Sequence, residues 1–138
     1  MIILDTNVLS ALMRTTPEPD VVNWLDRQPP ESVWISSITL FETRLGLALL
    51  PAGRRREGLE ASFAQLLADD LENRVLPFDE AAANEAADLA ATRQRKGTPV
   101  DFRDTQIAGI AVARKAALAT RNTRHFADLP VRIINPWN

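Results

Sequence analysis

The pattern of hydrophobic and polar positions predicts short buried strands that alternate with helices along the chain. Short apolar runs rich in β-branched residues are typical of buried strands, and apolar positions three or four residues apart are typical of helices. The predicted strands cover residues 1–4, 32–36, 74–78, 118–120 and 131–134. Pro77 places the third strand at an edge of the sheet, because proline donates no ladder hydrogen bond. The alternation indicates an α/β fold with a parallel sheet and helices on both faces.

The helical segments between these strands carry recognisable start signals. They cover residues 8–13, a short segment capped by Asp20, and about 38–50, 54–71, 79–94 and 101–115. Asp79 and Asp101 precede the last two helices, and aspartate is among the best N-caps. The helix after Asp79 is rich in alanine, so we expect it to pack closely against a neighbour.

Three acidic side chains are predicted to meet at one edge of the sheet. Asp5 ends the first strand, and Asp104 lies one turn before Ile107 on the inward face of the last long helix. Glu42 falls on an apolar stripe of its helix, which consists of Ile38, Phe41, Leu45, Ala48 and Leu49. Right-handed crossovers bring the carboxyl ends of parallel strands to one edge, and Asn122 follows the fourth strand there. Three such acids repel each other, and a bound cation is the simplest way to keep them ionised.

Each acid also has a purely structural interpretation. Asp5 is suited to cap the helix that follows it. Glu42 is suited to pair with Arg44 or Arg103, since a buried carboxylate needs compensation. Asp104 lies three residues after a cap, where the acid of a capping box lies. These alternatives remain open at the level of the residues.

Composition narrows the possible chemistry. The chain has 138 residues, no cysteine and one histidine, His125. Disulfides, thiolate metal sites and a two-histidine metal site are therefore excluded, and oxygen ligands favour a hard cation, Mg²⁺ or Mn²⁺. A glycine-rich phosphate loop and a nucleophilic triad are both absent. Hydrolysis of a phosphodiester by an activated water is the reaction that such an acidic cluster suits best.

Charge and hydropathy bear on partners and location. With 16 basic and 18 acidic residues the formal net charge is −2, so any nucleic-acid contact must come from local clusters. Such clusters occur at Arg54–Arg56, at Arg93–Lys96, and at Arg121 with Arg124; solvated surface is the simpler interpretation of the first two. No segment has the length of a transmembrane helix, and no signal peptide is evident, which makes the cytoplasm the expected location.

Five short motifs resemble those of one family. They are Ile3–Asn7, Ser37–Glu42 followed by Arg44–Gly46, Asp104 with Ile107 and Ala108, Ala119–Thr123, and Asn135–Trp137. The first four resemble the successive motifs of PIN-domain ribonucleases, in the same order and at similar spacing along essentially the whole chain. The ending resembles the FitB-like branch of the VapC toxins.

This resemblance implies a fold, an activity and a site. The fold would be a single PIN-like domain over residues 1–138, with three α/β/α layers and a five-stranded parallel sheet of order 3-2-1-4-5. The activity would be that of a Mg²⁺-dependent endoribonuclease acting as the toxin of a toxin–antitoxin pair. Asp5, Glu42 and Asp104 would be the catalytic metal ligands. Thr6 and Asn7 would support the first acid, and Thr120 and Asn122 would line the pocket.

The resemblance also implies partners. These are an RNA substrate and a small VapB-like antitoxin that wraps the toxin and inserts an arginine or similar group into the acidic pocket. Contact with DNA would be indirect, through the antitoxin, and no membrane is involved. The family usually forms homodimers that assemble further with antitoxin.

The chain departs from the family at the fourth acid, which would stand at the position of Asn122 or of His125. Asn122 remains a candidate metal ligand through a water, and His125 is a candidate contact for a phosphate or a second metal. Arg103, Arg121 and Arg124 are further candidates for RNA contacts. The departure keeps a second hypothesis open, a catalytically weakened PIN-fold protein that acts mainly by binding RNA or antitoxin. A phosphatase that uses Asp5 as nucleophile is disfavoured, because Asn7 replaces the second acid such an enzyme needs.

Overall fold

Five short strands form one sheet in the computed structural model, which describes residues 1–138. They are β1 (Ile2–Leu4), β2 (Val33–Ser36), β3 (Val75–Leu76), β4 (Ala117–Ala119) and β5 (Ile133–Ile134). All neighbouring strands are parallel, and their order is β3-β2-β1-β4-β5. The predicted parallel sheet, its strand order and the edge position of the strand beside Pro77 are confirmed.

Six α-helices connect the strands. They are α1 (Thr6–Leu12), α2 (Pro19–Asp26), α3 (Ser37–Ala48), α4 (Arg54–Gln65), α5 (Glu80–Arg95) and α6 (Phe102–Arg114). Two 3₁₀ turns cover Pro30–Ser32 and Thr123–Phe126, and one π-helical turn covers Leu66–Asp70. None of these helices combines the length and the apolar character that a membrane span requires.

The sheet separates two hydrophobic cores. Successive side chains of a strand point to opposite faces, so Ile2 and Leu4 enter one core and Ile3 enters the other. The first core contains side chains of α1, α2 and α4, and the second contains side chains of α5, α6 and the turn Thr123–Phe126. The result is the predicted three-layer α/β/α architecture.

The predicted caps and the close helix packing are largely confirmed. Asp79 accepts a hydrogen bond from the backbone N–H of Ala82, and Asp101 accepts one from that of Asp104, each at 3.0 Å. Gly109 of α6 lies directly against Ala82 and Ala86 of α5. The expectation for Asp20 is wrong, because α2 begins at Pro19, whose fixed φ suits the first helical position, and Asp20 lies within the first turn.

The helix predicted over residues 54–71 changes its geometry before it ends. After Gln65 the backbone widens, and the N–H of Leu71 donates to the carbonyl of Leu66 at 3.0 Å, a π-helical bond. Glu72 and Asn73 then take positive φ angles of 47° and 57°. With these two residues in the left-handed region of the backbone, the chain turns from the end of the helix into β3.

Candidate active site

The site lies at the carboxyl edge of the central strands. Leu4 pairs with Ile35 of β2 and with Ala119 of β4. One residue further along, the three strands end in Asp5, Ser36 and Thr120, all buried. Adjacent parallel strands therefore place Asp5 and Thr120 side by side, as the sequence predicts for the ligand-binding edge of an open α/β sheet.

Asp5 is a buried carboxylate held by a set of hydrogen-bond donors. The residue is only 4% exposed. Oδ1 accepts from the backbone N–H of Thr6 at 2.8 Å, and Oδ2 accepts from the hydroxyl of Thr120 at 2.8 Å and from Nδ2 of Asn7 at 3.4 Å. The pKa of Asp5 is raised to about 6, chiefly by burial. The hydrogen bonds from Thr120 and Thr6 oppose this rise, and the nearby charges of Asp104 and Glu42 contribute to it.

Glu42 reaches the site from α3 and is held from two sides. Its Oε1 accepts from the hydroxyl of Thr6 at 2.8 Å, and its Oε2 lies 3.6 Å from Nη1 of Arg103. Of the two arginines considered as partners, Arg103 is therefore the one that pairs, whereas Arg44 lies over the ring of Phe63. Thr6 therefore contacts both acids, since its backbone N–H donates to Asp5 and its hydroxyl donates to Glu42.

The apolar stripe that contains Glu42 is not the buried face of α3. Phe41 and Leu49 are 55% and 75% exposed. The buried side chains are Thr39, Thr43 and Leu47, and the hydroxyl of Thr39 lies 3.0 Å from that of Thr6. Glu42 borders this buried face and is partly accessible, because the helix is rotated relative to the prediction.

Asp104 lies in the first turn of α6 and faces the same cavity. Its Oδ2 accepts a hydrogen bond from Nδ1 of His125 at 3.2 Å. Asp101 caps the helix, whereas the side chain of Asp104 lines the cavity. The lone histidine of the chain therefore touches an acid of the site directly.

One cavity of about 400 Å³ unites the predicted residues. It is lined by Asp5, Thr6, Asn7, Glu42, Asp104, Arg121 and Asn122, and also by Ser10, Ala11, Arg14 and Trp137. Thr120 lies behind the wall, where it accepts from the backbone N–H of Asn122 at 3.0 Å. Asn7 accepts from the N–H of Arg121 at 3.2 Å. The structure thus brings together the three acids and their predicted supports.

Sequence reasoning missed several side chains that line this cavity. Ser10 and Arg14 follow Thr6 at four-residue intervals, so helical spacing alone points them to the same side. Trp137 reaches the cavity from the chain end, where its indole N–H donates to Glu18 and its ring lies 4.8 Å from the guanidinium of Arg121. Trp137 thereby holds Arg121 at the mouth of the cavity.

The other basic candidates lie around the cavity. Arg103 lies beside Glu42 and over the ring of Phe41, at 5.6 Å. Arg124 and His125 line an adjoining groove of about 640 Å³, which shares Asp104 with the acidic cavity. An extended ligand in the acidic cavity would meet these groups only if it continued past Asp104.

The donor set fits a hard divalent cation, although the side chains are not gathered around one point. Carboxylate and amide oxygens are the ligands that Mg²⁺ and Mn²⁺ prefer. No group of three or more acidic or histidine side chains is arranged as a ready metal site. Glu42 and Asp104 are instead turned toward Arg103 and His125. Binding an ion would require Glu42 to turn from Arg103 toward Asp5, whereas Asp104 has one oxygen, Oδ1, outside its contact with His125.

Comparison with known proteins agrees with the fold and the motifs. The family model of the PIN domain matches residues 2–131. The chain belongs to the PIN-domain family. This PIN-domain chain is 42% identical over 137 residues to the VapC ribonuclease Y4jK of Sinorhizobium fredii, an alignment that covers 99% of the chain and 98% of that relative. It is 38% identical over 138 residues to the toxin FitB of Neisseria gonorrhoeae, covering 100% and 99% of the two.

A solved structure shows the same fold. The structure described as FitAB bound to an IR36 DNA fragment matches with a TM-score of 0.90 and 38% sequence identity, covering 100% of this PIN-domain chain and 96% of the matched chain. The resemblance to PIN domains of the VapC and FitB group, noted from the motifs, is therefore confirmed, together with the fold it implies.

Proposed function

We propose that this PIN-domain protein is a metal-dependent endoribonuclease and the toxin of a toxin–antitoxin pair. The observation that carries the proposal is the cavity in which Asp5, Glu42 and Asp104 meet at the carboxyl edge of the sheet. Full-length similarity to a VapC ribonuclease and to the toxin FitB supports it. A protein of this kind works in the cytoplasm, where its RNA substrate is found.

The residues that would hold Mg²⁺, or Mn²⁺ in its place, are Asp5, Glu42 and Asp104, with Asn122 as a further oxygen ligand. When bound, such an ion lowers the pKa of water and stabilises the negative charge that develops on a phosphodiester during hydrolysis. The raised pKa of Asp5 supports this assignment, because a buried carboxylate crowded by two other acids gains most from a nearby cation.

The neighbouring residues of the chain orient these acids and receive the substrate. The hydroxyl of Thr6 donates to Glu42 and the hydroxyl of Thr120 donates to Asp5, and these bonds orient the two carboxylates at the wall of the cavity. Arg121, stacked on Trp137, presents a guanidinium at the cavity mouth, suited to a phosphate. Arg124 and His125 offer a further polar surface along the adjoining groove.

The same acidic cavity is suited to inhibition by an antitoxin. A cavity lined by three carboxylates attracts a guanidinium, so we propose that an arginine of a VapB-like antitoxin occupies it and displaces the cation. DNA contact would then occur through the antitoxin. The solved FitAB structure with a DNA fragment supports assembly of this kind.

The testing experiment is cleavage of a mixed RNA pool by the purified protein with Mg²⁺, with Mn²⁺ and with a chelator. We expect metal-dependent cuts that Asp5→Asn and Asp104→Asn abolish, because each removes a ligand oxygen and a negative charge from the crowded edge. Asp101→Asn is the matched control, since asparagine caps a helix as well as aspartate and Asp101 lies outside the acidic cavity. Full activity of Asp104→Asn with unchanged metal dependence would overturn the site.

The alternative is a PIN-fold protein that acts mainly by binding RNA or antitoxin. It is favoured by Asn122 in place of a fourth acid, and by Glu42 and Asp104 being turned toward Arg103 and His125. The same experiment separates the two functions. Binding of RNA or of an antitoxin peptide without cleavage in either metal would establish the alternative.

A further inference from the structure

A buried arginine outside the acidic cavity is connected to it by hydrogen bonds. Arg93 of α5 is only 6% exposed, although the sequence favours solvated surface for the cluster Arg93–Lys96. Its guanidinium forms a bidentate pair with Asp128, with Nε at 2.9 Å from Oδ2 and Nη2 at 2.9 Å from Oδ1. The hydrogen bond from Arg93 lowers the pKa of Asp128 below its usual value, so the pair is ionised at neutral pH.

The remaining donors of Arg93 reach both sides of the Asp104–His125 contact. Nη2 donates to the backbone carbonyl of His125 at 2.7 Å. Nη1 donates to the hydroxyl of Thr105 at 3.2 Å, and Thr105 directly follows Asp104 in α6. One planar guanidinium therefore connects the segment that carries the acid with the segment that carries the imidazole.

The segment that carries His125 has few other restraints. Thr123–Phe126 is a single 3₁₀ turn without a side-chain cap, and such turns have poorer hydrogen-bond geometry than α-helices. Phe126 anchors the turn in the core, but its neighbour His125 is largely exposed and touches only Asp104 among the acids. Within the turn the N–H of His125 donates to the carbonyl of Asn122 at 3.0 Å, and the bond from Arg93 to the His125 carbonyl adds a second restraint from outside the turn.

We propose that Arg93, through its bidentate pair with Asp128, is a positioning residue that holds His125 against Asp104. Arg93 lies outside the acidic cavity, although it lines the adjoining groove together with Asp128, and it acts through the turn that it fixes. The contact in turn sets the orientation of the Asp104 carboxylate before a ligand arrives. This role rests on the proposed function of the acidic cavity, and its geometry can be tested without cleavage.

The first test uses the fact that His125 is the only histidine of the chain, so its imidazole NMR signals are assigned without ambiguity. At one fixed pH, Asp128→Asn and Arg93→Lys should each shift these signals toward their positions in Asp104→Ala, in which the contact is lost. Glu60→Gln is the matched control, because it breaks the surface ion pair with Arg56 on α4. Wild-type His125 signals in folded Asp128→Asn and Arg93→Lys would overturn the proposal.

The second test measures cleavage in a double-mutant cycle. Asp128→Asn should lower kcat by roughly tenfold, the loss that is usual when a group that orients a ligand is removed, with little change in KM. In a His125→Ala background the same substitution should have no further effect, because its action passes through His125. Additive losses would overturn the proposal. Absence of wild-type cleavage in any metal would count against the proposed function alone, since the NMR signals still decide the positioning role.

Discussion

At the scale of single residues, burial and hydrogen bonding have opposite effects on the pKa of Asp5. The residue is 4% exposed, and burial raises its pKa to about 6 in spite of the donors Thr120 and Thr6. The folded protein therefore binds a proton at this carboxylate more tightly than the unfolded chain, whose aspartate has a pKa of 3.8. Ionised Asp5 therefore lowers the free energy of unfolding, and such perturbed carboxylates are typical of functional sites.

This competition predicts a pH dependence of stability in the metal-free protein. Because the folded pKa is raised, the contribution of Asp5 is fully present below about pH 4 and is lost as the pH rises through 6. The loss amounts to roughly 3 kcal/mol, since one pKa unit corresponds to about 1.36 kcal/mol. Urea unfolding of the wild type and of Asp5→Asn between pH 4 and 7.5 measures it as the pH-dependent part of their difference.

Addition of Mg²⁺ provides the control for that measurement. A cation beside Asp5 lowers its folded pKa, so the loss of stability toward pH 7.5 should shrink in the wild type and remain unchanged in Asp5→Asn. Parallel pH profiles of the two metal-free proteins would contradict the raised pKa.

At the scale of elements, the contact between α5 and α6 depends on one glycine. A Cβ on Gly109 would lie 2.5 Å from the carbonyl oxygen of Ala82 and 2.7 Å from the Cβ of Ala86. Both distances are far below a normal van der Waals contact, and backbone atoms of α5 cannot yield without moving the helix. The Ala-rich sequence of α5 and Gly109 together permit the close approach that places Asp104 at the sheet edge.

Gly109→Ala should therefore destabilise the protein. We expect a loss of about 1–3 kcal/mol from overpacking, which outweighs the gain of up to about 1 kcal/mol in helix propensity. Gly58→Ala in α4 is the matched control, because a Cβ added at Gly58 would meet no atom within 4 Å, and it should stabilise the protein slightly. Urea unfolding measures both, and equal effects of the two substitutions would refute the packing argument.

At the scale of the whole molecule, several large hydrophobic side chains are exposed. Phe41 of α3, Leu49 directly after α3 and Phe102 of α6 are 55%, 75% and 67% exposed. The two helices pack against each other, and large exposed hydrophobic side chains on one side of a protein often mark an interaction site. We expect two copies of the chain to meet here, in the homodimer that the family resemblance implies.

Replacing Phe41 and Leu49 by glutamine should convert a dimer into a monomer without unfolding it, because both side chains are mainly exposed. Analytical ultracentrifugation of the wild type and the variant measures the change. Ala61→Gln, on the exposed surface of α4, is the control and should leave the mass unchanged. A variant that remains dimeric would place the interface elsewhere on the molecule.

The sequence by itself determined the type and succession of the elements. Local patterns are sufficient for this, because helix and strand periodicity, proline at β3 and the caps Asp79 and Asp101 act through near neighbours. They also placed Asp5 at the end of a central strand, and the motifs indicated the strand order. The three acids were predicted from these positions, and the resemblance to PIN domains implied their threonine and asparagine supports.

Only the tertiary structure decided which face of a helix is buried and which distant groups meet. The apolar stripe of α3 predicted that Phe41 and Leu49 are buried. Thr39 and Thr43 are buried instead, because α1 and the sheet pack against that face of α3. Arg93 follows the buried Ala82 and Ala86 of α5 at helical spacing, but its burial depends on Asp128, which is 35 residues away. Such pairings arise from long-range contacts, which local periodicity does not contain.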